Sequence, residues 1–347
     1  MKPTSAIGGH LNRREVLVLS ATAGMSAALA GQSFALDRTV SAAPLEFERA
    51  SRSYCAENSG QGTYSNASDA LSVNSANYLE TRDGAKIYFE DHGKGRPIVL
   101  VHGWLCSSRF WQRNVPHIAN ECRIVTLDLR GHGNSAKTLA GQTVWQYARD
   151  VREVIEHLGL EDAVLVGWSL GGPVVLSYYQ QYVADSHLKA LGLVDSCPFP
   201  FSPAEWNSHV LRNYNFDAMN ATFLNCAADP RKFALGFTSR IFKQTPSSAD
   251  ADWVVAEMVK TPPWIAIAIY SDFVMSDLAG TLPTVKIPVV VFAADSGVFP
   301  KGIAMGKALA AQAPQGTCIP FEDAGHMLFY EQPQKFNNAL TTFVKAL

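Results

Sequence analysis

The stretch at residues 164–172 reads VLVGWSLGG, an apolar run that leads through a G-x-S-x-G motif to a pair of glycines. Val164–Val166 is typical of a buried strand, and a helical pattern follows from Leu170 to Tyr182. The turn between such a strand and such a helix is so tight that flanking residues must be small, a need that the three glycines meet. The hydroxyl of Ser169 then projects at the helix N-terminus, where backbone N–H groups and the helix dipole favour a developing negative charge. The stretch therefore predicts that Ser169 is a nucleophile.

On both sides of this stretch, from Tyr78 onward, short β-branched runs alternate with amphipathic helical patterns. The predicted strands lie at 99–101, 122–127, 163–166, 191–194, 289–293 and 317–321. The predicted helices lie at 145–158, 170–182, 301–312 and 333–347. Continuous apolar strands separated by helices predict an α/β fold, with a mainly parallel central sheet and helices on both of its faces. In such sheets the chemistry gathers at the carboxyl ends of the strands.

A serine hydroxyl needs a general base, and the base needs an acid that orients it. Of the nine histidines, His326 combines a position just after the last predicted strand with a place downstream of the serine. Asp295 directly follows the apolar run that ends at Ala294, so we expect it to be the acid. Asp195, at the end of the preceding strand, is the rival, because it could reach the same imidazole. The expected triad is Ser169, Asp295 and His326.

Two backbone N–H groups are needed to stabilise the negative oxygen that forms when the serine attacks. Leu170 directly follows the nucleophile and should supply one of them. The loop His102-Gly103-Trp104 should supply the other, from the N–H of Trp104. A second glycine-rich loop at 128–135 also carries charged residues, which we expect to pin that loop. We therefore assign His132 a structural role.

These motifs together resemble the α/β-hydrolase superfamily, within the branch that holds small serine esterases and cofactor-free haloperoxidases (perhydrolases). The resemblance extends from about Tyr78 to Leu347. The motifs that carry it are His102-Gly103-Trp104, Asp128-x-Arg130-Gly131-His132-Gly133-x-Ser135, the G-x-S-x-G at 167–171, Asp295 and Gly325-His326. The chain order of Ser169, Asp295 and His326 is the order of that superfamily.

The resemblance implies ester hydrolysis through an acyl-enzyme, with no cofactor. Leu105 stands where haloperoxidase-like members often have proline, which weakens the perhydrolase interpretation. A serine nucleophile also argues against the haloalkane dehalogenases and epoxide hydrolases, which resemble this fold but use a carboxylate. No His or Cys cluster has the spacing of a zinc site, so we expect no metal.

Residues from about 197 to 283 interrupt the alternation, and we expect them to form a helical cap inserted into a hydrolase domain at 77–347. This segment is rich in Phe, Trp, Tyr and Met, which predicts a small, apolar, uncharged substrate. The leading hypothesis is a carboxylesterase, or a lactonase of the acyl-homoserine lactone type, whose partner is a small ester or lactone. A perhydrolase on the same triad and a non-catalytic binding protein are the alternatives.

The first 35 residues differ from the rest of the chain. Arg13 and Arg14 precede an apolar stretch at 16–30, and small residues follow, as in an export signal. The arginine pair resembles a twin-arginine signal, which implies the Tat machinery as a partner in transit and a periplasmic or secreted protein. The apolar stretch is too short and too interrupted for a stable membrane anchor. Residues 36–76 lack any sustained hydrophobic period and predict a flexible tail or linker.

Composition excludes some function classes and leaves the cysteines open. The 347 residues include 29 Lys and Arg against 31 Asp and Glu, a formal charge of −2, so the chain lacks the basic face of a nucleic-acid binder. The six cysteines permit disulfides in an exported protein. We expect either a Cys197–Cys226 bond or thiols that behave as small buried apolar groups.

Overall fold

The computed structural model of the chain describes residues 77–184 and 187–347. The predicted export signal at 1–35 and tail at 36–76 lie outside the described residues, as does Cys55. Within the described ranges, no helix is long and apolar enough to cross a membrane.

One mainly parallel sheet forms the centre of the described chain. Its strands are β1 Asn77–Glu80, β2 Lys86–His92, β3 Pro97–Val101, β4 Arg123–Leu127, β5 Ala163–Trp168, β6 Leu188–Val194, β7 Val289–Ala293 and β8 Gly316–Pro320. Their order across the sheet is β1-β2-β4-β3-β5-β6-β7-β8. All neighbours from β4 to β8 are parallel, and β1 and β2 add an antiparallel edge. The predicted α/β sheet is confirmed, and the antiparallel edge extends it.

Helices connect and cover these strands. They are α1 Val115–Ile118, α2 Val144–His157, α3 Gly171–Gln181, α4 Phe216–Ala228, α5 Pro230–Ile241, α6 Ser248–Met258, α7 Pro263–Met275, α8 Gly302–Gln312, α9 Leu328–Glu331 and α10 Pro333–Lys345, with 3₁₀ turns at Ser108–Trp111 and Ala279–Thr284. The predicted helices correspond to α2, α3, α8 and α10 to within about two residues at each end. Thr143 is the N-cap of α2, because its side-chain oxygen accepts the Gln146 N–H at 3.1 Å.

The burial of the strands on both faces explains why their sequences are continuous runs of apolar residues. Every residue of β5 and of β7 is buried, as parallel strands covered on both faces require. Helix α3 packs on β5 and against α2, while α8 packs on β7 and β8. The end of β5, which Ser169 follows directly, is therefore held in place by closely packed strands and helices.

The segment between β6 and β7 contains α4 to α7, within the range for which a helical cap was predicted. The disulfide predicted there is absent: Cys197 and Cys226 are both buried free thiols. The Cys197 Sγ lies 3.5 Å from Asn207 Oδ1, and Cys226 is buried on α4. The alternative expectation, small buried apolar groups, describes both residues.

Candidate active site

Ser169 stands at the turn from β5 to α3 in a strained backbone conformation. Its φ is 55°, in the left-handed region that non-glycine residues rarely occupy. The Ser169 N–H donates to Val194 O at 3.0 Å, and the Ser169 carbonyl accepts the Gly172 N–H at 3.0 Å and the Ser196 hydroxyl at 2.7 Å. These bonds hold the serine in place while its side chain lines a cavity.

The glycines around the serine are needed because backbone atoms approach them closely. A Cβ on Gly171 would lie 2.4 Å from the Val101 carbonyl oxygen. A Cβ on Gly167 would lie 2.1 Å from the Gly171 carbonyl oxygen. Neither contact can be relieved by rotating a side chain, so the sharp turn requires glycine at both positions.

His326 lies in the loop after β8 and pairs with a buried carboxylate. Its Nδ1 is 2.7 Å from Asp195 Oδ2, and both side chains are almost fully buried, at 1% and 0% exposed. The Trp168 Nε1–H donates to the His326 carbonyl at 2.9 Å, and the two rings are 5.3 Å apart. Trp168 directly precedes Ser169, so this bond ties the histidine loop to the serine turn.

The expectation that Asp295 is the acid is wrong in this structure. Asp295 is exposed, and its carboxylate accepts the Ile303 N–H at 3.0 Å at the start of α8. Asp195, the rival, occupies the position beside the imidazole. Both acids follow neighbouring parallel strands, β6 and β7, so chain order alone could not distinguish them.

Asp195 is surrounded by donors that stabilise its charge. Besides His326, its carboxylate accepts the Ser296 hydroxyl at 3.0 Å and the Ala294 N–H at 3.2 Å. Burial raises the pKa of the Asp195 carboxyl, and these three hydrogen bonds oppose that rise. The Ser296 Oγ in turn accepts the Phe299 N–H at 3.0 Å, which orients it. Sequence reasoning missed Ser296, whose one signal was its position beside the end of β7.

The loop His102-Gly103-Trp104 passes directly beside the serine. A Cβ on Gly103 would lie 3.0 Å from Ser169 Cβ and 3.5 Å from its Oγ. Among the backbone hydrogen bonds of the described residues, none uses the N–H of Trp104 or of Leu170. Both N–H groups therefore lack a backbone partner among the described residues, and the oxyanion role expected of them stays a prediction.

His132 lies in the loop at 128–135, away from the His326–Asp195 pair. Its ring is buried and packs against His102 at a centroid distance of 5.3 Å. His102 fixes the neighbouring chain, because its Nε2 accepts the Leu129 N–H at 2.9 Å. Asp128 accepts the N–H groups of Ser108 and Asn134 at 2.6 Å each. This loop is held by its own polar groups, in keeping with a structural role for His132.

A cavity of about 200 Å³ opens over the serine and is walled mainly by residues of the segment between β6 and β7. Its lining includes Ser169, Trp104, Phe233, Phe237, Tyr270, Phe273, Val298 and Phe299, with His209 and Arg240 among the polar members. The Phe299 ring also lies 5.6 Å from the ring of His326. Across residues 77–184 and 187–347, no group of three or more His, Cys, Asp or Glu could hold a metal ion.

Known proteins resemble the chain over nearly their whole lengths. A "Bifunctional esterase/perhydrolase DCH" from Acinetobacter calcoaceticus is 28% identical over 78% of this chain and 99% of its own. The "AB hydrolase superfamily protein YisY" from Bacillus subtilis is 26% identical over 77% of this chain and 98% of its own. A solved esterase from Exiguobacterium antarcticum matches with a TM-score of 0.72 at 23% identity, covering 78% of this chain and 100% of that one.

The family described as the alpha/beta hydrolase fold matches residues 96–333, which include the strands from β3 to β8, the serine turn, the segment between β6 and β7, and His326. The chain therefore belongs to the alpha/beta hydrolase family.

Proposed function

We propose that the protein hydrolyses carboxylic esters through an acyl-enzyme formed on Ser169. The observation that carries this proposal is the 2.7 Å hydrogen bond between His326 and the buried Asp195, at the edge of the sheet where the serine turn also lies. A buried carboxylate that holds an imidazole fixes its tautomer and stabilises the imidazolium that forms during catalysis. The name of the Acinetobacter relative, an esterase and perhydrolase, supports the same chemistry.

In the proposed mechanism, the Ser169 Oγ attacks the ester carbonyl carbon while His326 takes the hydroxyl proton. The N–H groups of Trp104 and Leu170 stabilise the negative oxygen of the tetrahedral intermediate. As the C–O bond to the alcohol breaks, His326 returns the proton to the leaving oxygen. Water then attacks the acyl-enzyme with His326 as base, and the released acid restores the serine. Asp195 stays ionised and orients the imidazole throughout.

The aromatic cavity supports a small substrate whose acyl or alcohol part is largely apolar. A volume of about 200 Å³ suits a short chain rather than a long lipid. A lactone presents the same carbonyl to Ser169, so acyl-homoserine lactones belong in the same substrate screen.

The test is turnover of 4-nitrophenyl butanoate by the wild type and by Ser169→Ala. We expect the variant to lose at least about three orders of magnitude in kcat, because the nucleophile is gone. Ser239→Ala is the matched control, because Ser239 is exposed on α5 and bonds only to the Gly236 carbonyl among its described contacts. Equal hydrolysis by the wild type and Ser169→Ala would refute the proposal.

Perhydrolysis is the second candidate, and the Acinetobacter relative favours it by name. Leu105 weakens it, because its φ of 63° is a conformation that proline, fixed near −65°, cannot adopt. The oxyanion loop therefore differs here from that of haloperoxidase-like members with proline at this position. Peroxide-dependent bromination in acetate buffer tests this candidate, and we expect it to be weak beside ester hydrolysis.

We also propose that the protein is exported, on the basis of its N-terminal sequence. The pair Arg13-Arg14 and the apolar stretch at 16–30 support transport by the twin-arginine route. Replacing both arginines by lysine should leave the esterase activity in the cytoplasmic fraction. Unchanged recovery from the periplasm or medium would contradict this proposal.

A further inference from the structure

The cavity above Ser169 has one charged side chain in its described lining, that of Arg240. None of the described residues that line this cavity is an Asp or a Glu. The imidazole of His209 also faces it but carries no charge at neutral pH, because burial lowers the pKa of His209 to about 3. Its Nδ1 accepts the Leu211 N–H at 3.1 Å, which places the proton of the neutral ring on Nε2. The cavity therefore combines apolar walls with one uncompensated positive charge.

Arg240 has no acidic partner among the described residues. The ion pairs and side-chain hydrogen bonds of that part of the chain include none from its guanidinium. It stands in the last turn of α5, where the C-terminal end of the helix dipole stabilises a cation. The helix thus holds the charge in place without a carboxylate, and the five donors of the guanidinium remain available to a ligand.

The charge of Arg240 reaches the interior of the cavity. Burial raises the pKa of Tyr270 to about 12, and the positive charge of Arg240 acts against that rise. Burial lowers the pKa of His209, and the positive charge of Arg240 adds to that effect. His209 and Tyr270 both line the cavity, so the guanidinium lies close enough to act on a bound substrate.

Arg240 also lies at the outer end of the cavity. Together with Phe233 and Phe237, it lines a second groove of about 420 Å³ that includes Asn225 and Lys232. Asp229 is the acid in this groove, and its carboxylate is engaged by the Lys232 N–H at 2.9 Å as the N-cap of α5. Arg240 therefore lies where the cavity over the serine meets the more open groove.

We propose that the substrate of this cavity is an ester that carries a carboxylate, and that Arg240 binds that carboxylate while the ester carbonyl lies at Ser169. The inference rests on the proposed function and replaces the uncharged substrate predicted from the sequence. A planar carboxylate fits the paired donors of a guanidinium, and next to apolar walls such a charge-assisted pair is stronger than in open water. The aromatic side chains would hold the methylene chain between the two ends.

Binding to the Ser169→Ala protein tests this inference without requiring catalysis. Monoethyl glutarate and ethyl pentanoate have acyl chains of equal length, and only the first carries a carboxylate. (Butanoyloxy)acetate and ethyl butanoate form the corresponding pair, with alcohol parts of two carbons each and the charge on the alcohol side. In at least one pair, we expect the anionic ester to bind about tenfold more tightly, a preference reduced by 0.5 M salt because the arginine is exposed.

Adding Arg240→Gln to the Ser169→Ala protein should remove this preference, and Arg240→Lys should keep part of it. Arg231→Gln is the matched control, because Arg231 lies on the same helix and is exposed but does not line the cavity. Equal affinities within both pairs, or a preference that survives Arg240→Gln, would overturn the inference. The proposed function fails separately, if wild type and Ser169→Ala show the same turnover.

Discussion

Asp195 is the residue on which the geometry of the site most depends. Its buried carboxylate accepts hydrogen bonds from His326, Ser296 and the Ala294 N–H, and each of these donors would lose its partner if the charge were removed. An ionised carboxylate is stable without solvent only when such donors surround it. The same bonds fix which imidazole nitrogen faces the acid, and they leave the other nitrogen to act as the base.

Asp195→Asn should therefore lower kcat for an ester by about three to four orders of magnitude, because the amide can hold the imidazole in the wrong tautomer. Asp295→Asn should change kcat by less than about twofold, because the exposed Asp295 carboxylate accepts the Ile303 N–H, a bond that an amide oxygen can keep, and has no described bond to His326. Steady-state turnover of 4-nitrophenyl butanoate by both variants measures this difference. A large loss in Asp295→Asn with activity retained in Asp195→Asn would restore the acid expected from the sequence.

Single residues differ in how well their roles could be predicted from the sequence. Ser169 sits in a local motif whose strand, turn and helix are visible in one stretch of chain. Which residue is the acid depends on which of the two strand ends faces His326. That is decided by packing between parts of the chain that are far apart in sequence. The Asp295 carboxylate accepts the Ile303 N–H, and the Asp195 carboxylate accepts the Ser296 hydroxyl. The spacing of these residues along the sequence predicts neither hydrogen bond.

At the scale of elements, the turn between β5 and α3 has a backbone that is tightly constrained by its neighbours. The chain reverses within a few residues, with Ser169 at a φ of 55° and the backbone of β3 close against Gly171. The packed strand and helix on either side hold Ser169 in this strained conformation. A side chain at Gly171 would push directly on the end of β3 and so displace the loop at 102–104 that follows it.

Gly171→Ala should therefore lower both the free energy of unfolding, by about 2 kcal/mol or more, and the esterase activity. Gly236→Ala is the contrasting variant, because nothing lies within 4 Å of the Cβ it would add on α5. There alanine should raise the free energy of unfolding by about 0.5–1 kcal/mol through its better helix propensity. Urea unfolding measures both values, and similar effects of the two substitutions would contradict this description of the turn.

The elements that could be predicted are those with a strong local pattern. The strands from β3 to β7 are continuous and mostly buried, and α2, α8 and α10 bury residues at helical spacing. Helix α3 is buried along most of its length, and β8 is a short run that is only partly buried. The strands β1 and β2 escaped prediction, because an antiparallel edge strand is buried on one side only, as the burial pattern of β2 shows. Helices between β6 and β7 could be expected as a group, but their bounds depend on how they pack against one another.

At the scale of the whole molecule, buried neutral histidines make stability depend on pH. Burial lowers the pKa of His102 to about 4 and of His209 to about 3, and places that of His132 well below its usual value. In the unfolded chain the same rings take up protons near pH 6.5. Between that pH and the folded pKa values, the unfolded state binds more protons than the native state, so acid favours unfolding.

The free energy of unfolding should therefore fall as pH decreases below about 6.5, by up to about 1.4 kcal/mol per pH unit for each such histidine. His209→Phe should reduce the slope, because it removes one of the three groups. Urea titrations at pH 7.0, 6.0 and 5.0 provide the measurement. A free energy of unfolding that stays constant over this range would show that the histidines are not kept neutral by the fold.

The arrangement on which the proposed substrate class rests exists only in the folded molecule. Ser169 ends a sheet strand, whereas Arg240 lies on a helix of the segment inserted between β6 and β7, and the fold brings both to one cavity. The aromatic richness of that segment predicted an apolar pocket. Which of its charges would face the serine could not be predicted, because that depends on how the cap helices pack over the sheet.

The most direct test of the proposed triad is covalent labelling with a fluorophosphonate, whose phosphorus the activated serine attacks with loss of fluoride. Peptide mass spectrometry should find a single modified residue, Ser169, in the wild type and none in Ser169→Ala. Labelling should slow by about three orders of magnitude in Asp195→Asn and remain near the wild-type rate in Asp295→Asn. A label on another residue, or equal labelling rates in wild type and Asp195→Asn, would contradict the triad of Ser169, His326 and Asp195.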